Sequence, residues 1–397
     1  MTCPGCEYAA AFHEDADRTL VSLFGPIRYC RAYYYCRRCG KGQFPFDQQT
    51  GIPNHQLTPA VERLASLAGG VSPSFEKGAE LLDEMSGIHL SESTVERTTE
   101  DVGGRIATLL EQGFTFGPRV VWKWQRDAKG QTVGYISIDA TGTRQQGPKG
   151  KAAEGRMAYV GAIFNPAPTM QWVEPVPNAK RATLQARYLA GLYALEDMGP
   201  LMRRLADRVG MEQAELWVAL TDGGNGLESF VQKNFNRPDL VVILDFYHAA
   251  SYLEKLAKAL YPKEEAAASS QAEQWCSLLK AEGGTVMLEV LRQWQWPARQ
   301  STALREQLSE VLTYFENNLH RMDYPEYEAE GWQIGSGVIE SACKTVVGQR
   351  LKGPGMRWGE GGAHTMCHVR ALYRSDKGQW QAFWDHQFTE PFVQQAI

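Results

Sequence analysis

The stretch from Val133 to Gly142 constrains this chain more than any other. It is apolar and largely β-branched or aromatic through Val133, Tyr135, Ile136 and Ile138, then turns to an acid, Asp139, and to small turn residues. Such a run reads as a buried strand. A carboxylate at the end of a central strand costs free energy if it sits unpaired in a core. The strand end is therefore expected to open into a site that uses the charge. Trp217 to Gly224 repeats the pattern, with Asp222 placed between an apolar run and two glycines. A further acid, Glu340, follows Gly335, Ser336 and Gly337. Those residues read as a helix start, which puts Glu340 in or near the first turn.

Carboxylates on separate elements suit hard divalent ions, which prefer oxygen ligands and keep waters for exchange. Two such ions, roughly 3.5–4 Å apart, serve phosphodiester transfer by activating a nucleophile and stabilising the leaving oxygen. The expectation is a site in which Asp139, Asp222 and Glu340 hold two Mg²⁺, with Mn²⁺ able to substitute. Taken singly, each acid is equally well an ordinary strand-end or helix-start carboxylate. The matched strand endings are what join them.

Two Cys-x-x-Cys pairs, Cys3/Cys6 and Cys36/Cys39, flank strand-like segments at the start of the chain. The spacing suits a tetrahedral zinc ribbon over residues 1–46, with one structural Zn²⁺. Disulfides are the alternative, and a cytosolic setting weighs against them. Cys30, Cys276, Cys343 and Cys367 show no ligand spacing and read as structural. Within the ribbon, Tyr29, Tyr33, Tyr34 and Tyr35 interleave with Arg28, Arg31, Arg37 and Arg38. That mixture can grip a phosphate backbone or stack on bases, or it can be a small hairpin with solvated basic residues.

At 397 residues the chain has room for two or three domains. Its net charge of −5 gives no global basic field, so nucleic-acid contact would depend on local patches. One such patch is the ribbon. A second runs from Ser341 to Arg374, with six basic residues against Glu360 alone; it supplies Lys344, Arg350, Lys352 and Arg357 as candidate phosphate contacts. No apolar run approaches membrane-spanning length and no signal peptide opens the chain, so the expectation is a cytoplasmic protein with no membrane partner.

Residues 56–112 have helical periodicity. Gly69-Gly70 is expected to break a first helix, a second covers Ser74–Met85, and a third opens at Ser91. The arrangement fits a helix-turn-helix, although ten acids against four basic residues fit a protein–protein module equally well. Residues 118–260 read as an α/β core. Its expected strands end at Asp139 and cover Arg156–Phe164, Met170–Val176, the run before Asp222, and Leu240–Asp245; Ala179–Arg208 is expected to be helical. Residues 261–330, with Trp275, Trp294 and Trp296, read as a helical insertion. Residues 331–397 are expected to complete the core with the Glu340 helix and basic C-terminal helices.

This order resembles the ribonuclease H-like fold of DDE transposases and integrases. More specifically, Cys3–Cys6, Arg31–Cys39, Ser91–Val95, Asp245–Ala249, Met322–Pro325 and Ile334–Lys344 are similar to bacterial insertion-sequence transposases of the ISKra group. The resemblance covers most of the chain, and the Glu340 segment, with its Gln349–Lys352 extension, is its most specific part. It implies an α/β (α+β) fold, a ribonuclease H-like mixed sheet with a helical insertion behind a zinc ribbon and a helix-turn-helix. It implies an acid triad at Asp139, Asp222 and Glu340, with Asp245 and His248 as accessory residues. The implied activity is Mg²⁺-dependent cleavage and strand transfer on double-stranded DNA by a dimer or higher oligomer in a bacterial, nucleoid-associated setting. Two other functions stay open: a nuclease that cuts without strand transfer, and a domesticated DNA-binding protein or regulator.

Overall fold

A computed structural model of the chain describes residues 1–50, 56–166, 184–224, 226–376 and 378–389. These residues form two compact units. One comprises residues 1–117, 349–373 and the described part of 377–397; the other comprises residues 118–348 and 374–376.

The first unit opens with an antiparallel hairpin, β1 (Ala11–Ser22) and β2 (Gly25–Tyr35), to which the short β3 (Gly42–Gln43) adds. A short helix follows it, α1 (Pro45–Gln49). Its Asp47 accepts from Arg18 at 2.7 Å and from the Tyr29 hydroxyl at 2.9 Å, and it also pairs with Arg31. Three helices follow: α2 (Pro59–Val71), α3 (Phe75–Ser86) and α4 (Glu92–Glu111). Ser74 and Ser91 cap α3 and α4 by accepting from Lys77 N–H and Thr94 N–H.

The expectation that Gly69-Gly70 ends a helix is corrected, because α2 runs through both to Val71. The glycines are there for packing. A Cβ on Gly69 would collide with Oγ1 of the fully buried Thr99, so only glycine lets α2 approach α4 this closely.

The second unit is built on a mixed sheet of β4 (Gln125–Arg126), β5 (Thr132–Gln146), β6 (Ala152–Asn165), β7 (Gln185–Gly191), β8 (Leu216–Thr221) and β9 (Leu240–Leu244). The order along the sheet is β7-β6-β5-β8-β9, with β4 pairing on β5. β5, β6 and β7 are antiparallel, while β8 and β9 run parallel to β5. Central β5 is buried from Val133 to Ile138, as its apolar run dictates, but it does not end at Asp139 as expected: continued pairing with β6 extends it to Gln146. Each large side chain of the buried run stabilises the sheet by about 1.5–3 kcal/mol.

The third strand differs from the sequence reading. Met170–Val176 lies outside the described residues. Gln185–Gly191, expected to be helical, is an extended edge strand paired with β6 from Tyr159↔Gly191 to Asn165↔Gln185. Its composition tolerates a helix, and pairing on β6 overrides that weak local preference. Arg187 is buried there and donates to Asp376 at 3.0 Å. The helix begins only at α5 (Leu195–Arg208).

The connections after β8 and β9 are α6 (Leu227–Asn234) and α7 (Phe246–Leu260). Residues 261–330 form α8 (Glu265–Gln293), α9 (Thr302–Asn318) and α10 (Tyr324–Ala329), and give no strand to the sheet. Trp275 is buried against Trp294 and Trp296, with ring centroids 5.2 and 6.3 Å away. α11 (Gly337–Ala342) follows, and a π-turn over Cys343–Gly348 ends the unit's main span.

The chain then returns to the first unit with α12 (Gln349–Leu351), α13 (Glu360–Arg374) and α14 (Gln379–Thr389). Among the described residues, those after Gly348 therefore group with the N-terminal helices and not with the core, apart from residues 374–376. Arg350 shows why. It is buried, donates to the carbonyls of Gly69 at 3.1 Å and Pro73 at 3.4 Å, and lies over the rings of Phe75 and Trp358. No described helix is long and apolar enough to cross a membrane.

Candidate functional site

Strand register sets the candidate site. The last ladder pair of β5 and β8 is Ser137↔Leu220, and that of β8 and β9 is Thr221↔Leu244. Continuing the first register by two residues sets Asp139 across from Asp222, on the same face of neighbouring strands. Continuing the second by one sets Asp245 beside Asp222. With neighbouring strands roughly 4.8 Å apart, the three aspartates come level with one another where β8 and β9 end, while β5 runs on past Asp139.

Their surroundings differ. Asp139 is half-buried; its Oδ1 accepts from its neighbour Ala140 N–H at 2.6 Å and its Oδ2 from the Cys343 thiol at 3.5 Å. Its pKa is raised, chiefly by burial and further by the charge of Asp222; the Ala140 N–H, the Cys343 thiol and His248 act in the opposite direction. Asp222 and His248 therefore both lie within electrostatic reach of Asp139. The Asp222 carboxylate accepts from Gly224 N–H at 2.8 Å, which folds the glycine turn back under it.

Asp245 is 2% exposed, and its bonds point elsewhere. It caps α7 by accepting from Tyr247 N–H at 2.9 Å and takes the Ser336 hydroxyl at 2.5 Å. His248 follows one turn later on α7, half-buried against Tyr252 and Tyr314.

Glu340 is exposed on α11. It precedes Cys343 by three residues, so the two side chains share a helical face with Cβ atoms roughly 5–6 Å apart. Because Cys343 touches Asp139, Glu340 lies one turn from the aspartate pair. Ser336 occupies the N-cap position, as its sequence context predicts. Its hydroxyl does not cap α11, however, but donates to Asp245. The contact of Cys343 with Asp139 had no signal in ligand spacing; its only trace is the three-residue offset from Glu340. Beside Asp222 opens a cleft of about 820 Å³, bordered by Gly223, Gly224, Glu310, Arg321 and the stacked pair Tyr252–Tyr314.

The oxygen donors match what a hard cation takes, but the three acids are not drawn together. Among the described residues, the cysteines Cys3, Cys6, Cys36 and Cys39 are the group of potential ligands whose atoms lie within 4.8 Å of one another. Two similar turns build that cluster. Cys3 O accepts from Glu7 N–H at 3.0 Å and Cys36 O from Gly40 N–H at 2.9 Å. The residue after each second cysteine is left-handed, Glu7 at φ 57° and Gly40 at φ 72°. Sγ atoms of Cys3 and Cys39 are 3.4 Å apart, and those of Cys6 and Cys36 are 3.5 Å apart. The backbone N–H of Cys39, above all, pulls the Cys36 thiol down to about 7, against its burial. The cluster is compatible with a metal such as structural zinc.

The basic candidates divide. Arg28, Arg37 and Arg38 on the ribbon are exposed, as are Lys344, Lys352 and Arg357. Arg31 pairs with Asp47 and lies over Phe44 at 3.6 Å, and Arg350 is buried. The charges of these last two are engaged with partners inside the protein.

Residues 8–163 match the model of an Uncharacterised protein family (UPF0236). The match takes in most of the ribbon, the first helices and Asp139, and stops before Asp222 and Glu340. No curated protein matches the chain.

Proposed function

We propose that the chain is a DNA transposase with a ribonuclease H-like core, in which Asp139, Asp222 and Glu340 hold two Mg²⁺ or Mn²⁺. One observation carries the reading. Extending the register of β5 and β8 sets Asp139, within β5, level with Asp222, one residue past the carboxyl end of β8, and Cys343 links Asp139 to the helix of Glu340. Open α/β sheets bind ligands outside the carboxyl ends of their strands. The sheet order β7-β6-β5-β8-β9, antiparallel and then parallel, supports the fold assignment.

The bound ions would supply an activated oxygen nucleophile and charge stabilisation for phosphodiester chemistry. The protein's own part is to hold the acids. Asp139 is held within β5 and Asp222 just past the end of β8, and a bound cation would offset the burial and the neighbouring charge that raise the Asp139 pKa. His248 faces the same acid and is suited to orient water or a phosphate oxygen. Lys344, exposed just past Glu340, would meet a phosphate in this reading. Cleavage would free a 3′-hydroxyl at the element's end, and that hydroxyl would attack target DNA in the same site. Binding two DNA ends calls for a dimer or higher oligomer, and the zinc ribbon and helices of the first unit are the candidate DNA-reading parts.

The test is strand cleavage and transfer on DNA carrying the element's own flanking ends. Wild-type protein should join the cut ends to target DNA in Mg²⁺. Asp139→Ala, Asp222→Ala and Glu340→Ala should each lose roughly a thousandfold in rate, about 4 kcal/mol of barrier, with unchanged zinc content. Cleavage without joining would favour a simple nuclease. DNA binding with no cleavage by wild type would favour a regulator.

A further inference from the structure

We propose that Asp245 is a positioning residue that docks the Glu340 segment onto the end of β8; the proposal rests on the reading of Glu340 as a site acid. Asp245 sits where three elements meet. Its own N–H donates to Thr221 O at 2.9 Å, joining it to the residue just before Asp222. Its carboxylate starts α7 through Tyr247 N–H. Both carboxylate oxygens then reach the residue that opens α11: Ser336 Oγ donates to Oδ2 at 2.5 Å and Ser336 N–H to Oδ1 at 3.3 Å. A backbone bond from Phe246 N–H to Ile334 O, 2.9 Å, lies alongside. At Gly335 a Cβ would fall 2.5 Å from Cε2 of Tyr247, so the bare backbone lets the segment lie flat against α7.

These bonds explain a buried carboxylate that the acid site itself does not use. An uncompensated buried charge is expensive, and Asp245 is compensated entirely by donors from the two segments it joins. Glu340 lies four residues beyond Ser336, one turn into α11, and Asp222 one residue beyond Thr221. The two site acids are thus each tied to the same residue, Asp222 through the backbone N–H of Asp245 and Glu340 through its carboxylate. α11 is only six residues long and is too short to hold its place by its own helical bonds. Removing Asp245 would leave the β5 and β8 acids where they are and release the third.

The experiment uses full-length, zinc-loaded protein and two readouts, amide hydrogen exchange and Mn²⁺ binding. In Asp245→Ala, exchange in residues 334–343 should accelerate about tenfold or more while β5 and β8 amides stay protected. Mn²⁺ affinity should fall about 10–100-fold, as it does when a residue supporting a ligand is lost. Asp245→Asn keeps an acceptor for both N–H groups and should restore most of each effect. Ser336→Ala removes one arm with the carboxylate intact; it should loosen the same segment by less, and it serves if Asp245→Ala does not fold. Unchanged exchange in 334–343, or acceleration spread equally over the sheet, overturns the proposal. If Glu340→Ala binds Mn²⁺ as wild type does, the acid-site reading fails, while the exchange result still judges the docking role.

Discussion

The thiol cluster and the proposed acid site would gather ligands in two ways, and the structure treats them differently. The four cysteines come from two tight turns joined through one hairpin, and their sulfurs already lie within 4.8 Å of one another. The proposed site acids come from residues 139, 222 and 340, within β5, just past the end of β8 and on a short helix, and only the aspartates are set level by strand register. Protonated thiols are neutral and can crowd. Two carboxylates about 4 Å apart repel by roughly 4 kcal/mol at an effective dielectric constant of 20. A local thiol chelate can therefore be laid out by turn geometry alone. An acid site assembled from distant elements needs sheet register for two members and a separate tie for the third.

Metal removal should separate the two sites most sharply. Stripping zinc with a strong chelator, or Cys36→Ser, should unfold β1–β3, since structural zinc contributes on the order of 10 kcal/mol to small ribbons. Near-ultraviolet circular dichroism and exchange of the β1–β3 amides would report it, and the second unit's sheet should stay protected. A ribbon that keeps its protection without metal would erase the contrast. Long-range ties in the first unit should matter next. Arg350→Ala, removing charged hydrogen bonds to Gly69 and Pro73, should cost roughly 1.5–3 kcal/mol in urea unfolding. Arg28→Ala, on an exposed side chain, should leave stability alone and lower the salt dependence of DNA binding by about one phosphate contact. A loss of DNA affinity in Arg350→Ala without loss of stability would move that arginine back among the phosphate contacts.

The smallest effect tests the crowding itself. Asp139 has a raised pKa, so the folded state holds its proton more tightly than the unfolded state does, and stability falls as pH rises from the ordinary aspartate value through the raised one. Without divalent metal, Asp139→Asn should therefore melt at a higher temperature than wild type at pH 7, and this gain should vanish below about pH 3, where both side chains are neutral. Adding Mg²⁺ should stabilise wild type and not the variant. A variant less stable than wild type at neutral pH would mean that the aspartate is favourably paired.

Much of this was legible in the sequence because it rests on local pattern. Apolar runs ending in acids gave β5 and β8, and paired knuckles gave the cysteine cluster. What was not legible depends on partners far along the chain. Gly69-Gly70 looks like a helix stop unless Thr99 is known to press against it. Gln185–Gly191 looks helical until β6 offers its edge. Ser336 looks like an ordinary cap because nothing nearby signals that Asp245, 91 positions earlier, takes its hydroxyl. The basic run after Ser341 looks continuous, yet it divides at Gly348 between the two units.

That division has a consequence for how the chain is made. The helices that need Arg350 and Arg370 as donors to the carbonyls of Gly69 and Gly70 leave the ribosome first. Residues 118–348 must then be synthesised before either arginine exists. At typical elongation rates that is a wait of roughly 10–50 s, far longer than helices and small domains take to form. During it α2 presents backbone acceptors without their final donors. Until the C-terminal segment arrives, water must take the place of Arg350 and Arg370 at these carbonyls.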